Sequence, residues 1–68
     1  MATQISLFPG RAGIYILHSD AGTECAAQTE VQQAAADAEL ALLPYGRGSF
    51  DSDRCRVYYW LAERRAAG

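Results

Sequence analysis

The sequence has no lysine and no asparagine, one histidine, one methionine, two prolines and two cysteines in 68 residues. Without lysine there is no Schiff-base chemistry and no phosphate-binding P-loop. Two cysteines, Cys25 and Cys55, make no disulfide framework. No apolar run approaches the ~18 residues that would span a membrane. Met1 to Gly10 shows neither the basic nor the long apolar segment of a secretory signal. The expected compartment is therefore the reducing cytoplasm of a bacterial host, with both cysteines as buried thiols. A chain of this length makes one domain, residues 1–68, that buries only ~60% of its unfolded surface. Multidomain enzymes, membrane spans, basic histone-like binders and disulfide-dense toxins are excluded.

What is present is alanine and arginine: 13 Ala, and all six basic residues Arg. That usage points to a GC-rich bacterial or phage genome. The formal net charge of −2 hides an uneven distribution. Residues 20–53 hold seven acids and a single base, whereas residues 54–68 hold four Arg and Glu63. An acidic middle beside a basic tail can steer a charged partner.

Along the chain, Thr3 to Phe8 alternates as a strand, Pro9 to Gly13 is a turn, and Ile14 to Ser19 is the strongest strand. Asp20-Ala21-Gly22 reads as a three-residue hairpin loop. Thr23 to Leu43 admits two readings, one long helix or a strand over 23–28 followed by a helix from Thr29. The turn before it and the Thr29/Gln32 capping signature favour the second. The helix, roughly Glu30 to Leu42, then buries Val31, Ala34, Ala35, Ala38 and Leu42. Pro44 to Gly48 breaks it, Ser49-Phe50 opens a short strand, Arg54 to Leu61 is the last strand, and residues 62–68 form a frayed tail. The fold class is α+β: a mainly antiparallel sheet of four to five strands with one helix on one face, in the order β-β-β-α-β-β.

One helix covers one face of such a sheet, so the other face should be polar. Here both faces are apolar or aromatic. The strand at 14–19 alternates Ile14, Ile16 and His18 with Tyr15 and Leu17, and the last strand alternates Val57, Tyr59 and Leu61 with Arg56, Tyr58 and Trp60. Tyr, Trp and Arg are enriched at the energetic centres of interfaces. Tyr15, Arg56, Tyr58 and Trp60 are therefore the expected partner-binding face, covered by another protein or by a second copy in a homodimer, unless the chain's own N-terminal strand, tail and 44–50 loop fold over it. The same side chains could instead stack single-stranded bases, although net acidity and the lack of lysine oppose direct nucleic-acid binding.

Other candidate chemistry is thin. In the hairpin register His18 lies opposite Glu24 and on the other face from Cys25, so no Cys–His nucleophile forms. His18, Cys25 and Cys55 lack the spacing of a zinc site. Gly46-Arg47-Gly48 is too short to cradle a phosphate. The carboxylate pairs Asp51/Asp53 and Asp37/Glu39 read as solvated residues rather than an acid/base pair. Gly13-Ile14-Tyr15-Ile16-Leu17 resembles the opening strand of GIY-YIG nucleases, but Ala21-Gly22-Thr23 stands where the Tyr-Ile-Gly half belongs, and an acidic helix replaces the basic one. No catalytic residue, metal or cofactor is expected.

In size, charge and architecture, rather than in any motif, the chain resembles small phage-encoded inhibitors such as anti-CRISPR proteins. The resemblance implies a non-enzymatic, stoichiometric blocker of a CRISPR effector subunit. It also implies a second candidate surface, the carboxylates Asp20, Glu24, Glu30, Asp37, Glu39, Asp51 and Asp53, presented where nucleic acid would bind.

Overall fold

The structure, a computed structural model, describes residues 3–53 and 55–65. Its elements are β1 (Gln4–Leu7), β2 (Ile14–Ser19), α1 (Glu24–Asp37), β3 (Leu40–Leu42), β4 (Gly48–Asp51) and β5 (Arg56–Arg64). The expected class holds: one helix lies on an open, antiparallel, five-stranded sheet. The helix and the third strand exchange places in chain order.

That exchange has a local cause. Thr23 is extended (φ −131°, ψ 156°) and its hydroxyl accepts the Ala26 amide at 3.2 Å, so it caps the helix six residues before the expected start. Residues 24–28, expected in a strand, are the first turn and a little more. Thr29 sits mid-helix and donates its hydroxyl to the Cys25 carbonyl at 3.1 Å instead of capping anything. High alanine propensity outweighs the hairpin signal of Asp20-Ala21-Gly22, which becomes the loop into the helix. The opposition of His18 and Glu24 is lost with the hairpin; His18 lies between Gln4 and Tyr59.

The helix ends at Asp37. Ala38 caps it, and Glu39 takes the left-handed conformation at φ 60°. Its buried stripe is Ala27, Val31 and Ala35, with Ala34 partly buried. Of the expected stripe, Ala38 is the exposed cap and Leu42 belongs to β3.

The strand order is β1-β2-β5-β3, with β4 also on β5. Since β2 and β3 are each antiparallel to β5, they run parallel to one another, joined by α1, with β5 inserted between them. β5 continues through Arg64, so residues 62–64 of the expected tail are strand and Ala62 is fully buried. Arg54, expected to open that strand, and residues 66–68 lie outside the described residues. Leu42 pairs with Ala62 and Gly48 with Tyr59. The edge chain thus advances six residues while β5 retreats three, which makes β3 and β4 one edge strand carrying a three-residue insertion.

The core lies between the helix and one face of the sheet. Leu17, Ala27, Val31, Ala35, Leu40, Trp60 and Ala62 form it, and Tyr15, Leu42 and Tyr58 pack around it. Alanines on the helix let it approach the sheet closely, and Trp60 and Leu17 fill the space. Ser19, almost fully buried, donates to Glu30 Oε1 at 2.8 Å and ties sheet to helix. The helix packs on β2, β3 and β5 but reaches neither β1 nor β4.

Candidate protein-binding surface

Cross-strand pairs share a face, so the register assigns each side chain to a side. Tyr15 and Leu17 oppose Ala62 and Trp60, all on the helix side. Ile16, His18 and Ile14 share the bare side with Leu61, Tyr59 and Glu63. Gly48 and Phe50 join that side through Tyr59 and Val57.

The expected aromatic face, Tyr15, Arg56, Tyr58 and Trp60, is correctly grouped but is the face the helix covers. Trp60 is only 4% exposed, and Tyr15 and Tyr58 pack on the core. The Tyr15 hydroxyl accepts from Arg64 Nη2 at 3.3 Å, and Arg56 Nε lies 3.1 Å from Asp51 Oδ1, both groups being exposed. A base cannot stack on Trp60 while the helix is in place, so the nucleic-acid platform loses its central side chain. The signal that separates the faces is in β1. Leu7 opposes Tyr15 and Ile5 opposes Leu17, while Ser6 opposes Ile16 and Gln4 opposes His18. The polar residues of that strand mark the uncovered side.

The uncovered side nevertheless carries Ile14, Ile16, Val57, Tyr59, Leu61 and Phe50 on β2, β4 and β5. At one end Leu61 is buried, because Gly46 (φ 81°) in the edge-strand insertion lies against it so closely that a Cβ would overlap its side chain. At the other end an aromatic cluster stays open. Phe50 is 48% exposed and meets His18 edge-on with ring centroids 6.4 Å apart; its ring also lies 6.3 Å from that of Tyr59. Tyr59 crosses Gly48, where a Cβ would stand 2.6 Å from its hydroxyl oxygen. Val57, Tyr59, Ile16 and His18 are half-buried. His18 Nδ1 is buried with no hydrogen-bond partner, which costs about 1–3 kcal/mol.

The seven carboxylates do not form one surface. Asp20, Glu24, Asp51 and Asp53 are exposed at the end of the sheet where Ser19 meets Tyr58 and Asp51 meets Arg56. Asp37 and Glu39 are exposed at the far end of the helix, and Glu30 lies between, held by Ser19. Among the described residues no three His, Cys, Asp or Glu side chains gather closely enough to hold a metal ion. Cys25 and Cys55 are free and both exposed, not buried as expected: Cys25 faces outward from the first helical turn, and Cys55 sits on the turn closed by the Ser52 amide to its carbonyl at 2.8 Å. A cleft of about 220 Å³ between the helix start and β4, lined by Glu24, Arg47, Ser49, Tyr58 and Trp60, falls below the ~300 Å³ of an ordinary small-molecule site. No helix among the described residues is long and apolar enough to cross a membrane.

Set beside known proteins, the chain matches no family model, no curated protein and no solved structure.

Proposed function

We propose that the chain is a small, non-enzymatic protein-binding module that acts in the bacterial cytoplasm as a stoichiometric blocker of a nucleic-acid-handling complex, in the manner of anti-CRISPR proteins. The observation that carries this reading is the aromatic cluster Phe50, His18, Tyr59 and Val57 on the sheet face without a helix. Exposed apolar patches of this kind mark protein contacts, and a half-exposed Phe beside a Tyr can fill a partner's pocket. Asp20 and Asp53 stand at the same end of the sheet as that cluster, whereas Asp51 faces the helix side and pairs with Arg56. An apolar patch next to carboxylates suits a partner whose own apolar spot lies in basic surroundings, which is the character of a nucleic-acid-binding groove.

The test is titration of the purified protein into target cleavage by bacterial CRISPR effector complexes. Cleavage is expected to stop near an equimolar ratio, and Phe50→Asp is expected to weaken inhibition ~10-fold or more without unfolding the chain, since Phe50 is exposed. Reversing Asp20 and Asp53 together should slow association and reduce its salt dependence. Full activity of every effector at excess inhibitor, with no complex formed, would remove the inhibitor reading. Inhibition untouched by Phe50→Asp would move it off this face.

A further inference from the structure

The two edges of the sheet are not alike. On one side the β3/β4 edge is broken by its insertion, with Pro44 in the loop and the charged Asp51 at its end, devices that keep other strands from adding. On the other side β1 (Gln-Ile-Ser-Leu) is unbroken and uncharged, and all four residues are exposed.

The hydrogen-bond phase of β1 follows from one contact. The Phe8 amide donates to the Ile14 carbonyl at 2.9 Å, so Phe8, Ser6 and Gln4 direct their backbone groups toward β2. Ile5 and Leu7 therefore direct both N–H and C=O outward. Their side chains are also uncovered, at 42% and 67% exposure, because the helix does not reach β1. A groove of about 410 Å³ remains there, bordered by Thr3, Glu30, Gln33, Ala34 and Asp37.

We infer that β1 pairs antiparallel with β1 of a second copy of this chain, about a two-fold axis through Ser6. The occupant is set by self-complementarity. In that register Ile5 exchanges both backbone hydrogen bonds with Leu7 of the copy, and Leu7 with its Ile5. All four outward groups of each strand are then satisfied. The same pairing places Ile5 and Leu7 of both copies side by side on the helix side, so each apolar pair covers the other. Ser6 faces its own equivalent on the opposite side, where its small exposed side chain leaves no obstacle. No charge on the strand opposes the approach. Two sheets become one continuous sheet with both helices on the same side, and the trough between the helices is completed only by the second copy. A contact through four-residue strands is small, so the dimer is a reversible one that forms as concentration rises.

Ser6 gives the decisive test because the axis sets it against itself. Sedimentation of the full chain from micromolar to near-millimolar concentration is expected to show a monomer–dimer equilibrium. Ser6→Asp and Ser6→Lys should each be monomeric, and an equimolar mixture of the two should dimerise. Amide exchange adds a per-residue readout: Ile5 and Leu7 should gain protection with concentration, whereas Gln4 and Ser6, already bonded to β2, should not change. A wild-type monomer throughout overturns the inference. So does a dimer that both Ser6 variants leave intact, and Phe50→Asp abolishing that dimer would locate self-association on the aromatic face. Loss of inhibition and loss of dimerisation are thus read from different variants.

Discussion

Among the described residues, Glu39 carries backbone strain. It holds φ 60°, a conformation that side chains bearing a Cβ adopt at a cost of roughly 1 kcal/mol, just beyond a helix end where glycine is the usual occupant. Glu39→Gly is therefore expected to stabilise the fold by ~0.5–1 kcal/mol and raise the thermal midpoint by several degrees, measurable by circular dichroism. Gly46 is the reverse case. Its positive φ and its contact with Leu61 both reject a side chain, and Gly46→Ala should cost ~2–4 kcal/mol in a urea titration. Trp60→Ala, which the sequence alone recommends as a probe of binding, removes a core side chain instead. The expected loss of ~3–5 kcal/mol approaches the whole stability of a domain this small, so the variant should be largely unfolded by near-ultraviolet circular dichroism.

At the scale of elements, the helix depends on its start and on one part-buried tie. Thr23→Ala removes the cap and should cost ~1 kcal/mol. Ser19→Ala leaves the Glu30 carboxylate without its donor and should cost ~1.5–3 kcal/mol, with Glu30→Gln recovering part of the loss in the Ser19→Ala background by a double-mutant cycle. Ser49-Phe50 located β4, although Gly48 and Asp51, read as turn residues, belong to it, and the strands at 4–7 and 14–19 were readable from alternation beside Gly and Pro. So was the division of β2 and β5 into faces, which follows from a period of two. Two things were not readable locally. Thr23 and Thr29 are both competent caps, alanine propensity favouring the first and the turn at Asp20-Ala21-Gly22 the second, and the burial of Ala27 in the core goes with the first. Both sides of the central strands are apolar, so their period does not say which the helix takes; the polar Gln4 and Ser6 of β1, opposite His18 and Ile16, only mark the bare side. The candidate site moved with that choice, from Trp60 and Tyr58 to Phe50, Tyr59 and His18.

For the molecule as a whole, β5 is the strand on which everything converges. It bonds β2 along one side and β3 and β4 along the other, and it supplies Trp60, Leu61 and Ala62 to the interior. Native-state amide exchange should rank β2 and β5 slowest and β1 and β4 fastest. β5 is also the last of the strands in chain order, and β2 and β3 have no contact with each other until it lies between them. During synthesis, then, a nascent chain that has exposed β1, β2, the helix and the edge strand has the β1–β2 hairpin for the helix to rest on but lacks the strand that joins it to β3 and β4. Trp60, Leu61 and Ala62 are missing from the interior, and β3 and β4 have no partner strand, until residues 56–64 have left the ribosome. Completion of the core is therefore late, and truncation that removes Trp60 to Ala62 should yield a chain that is degraded rather than one that is merely weakened.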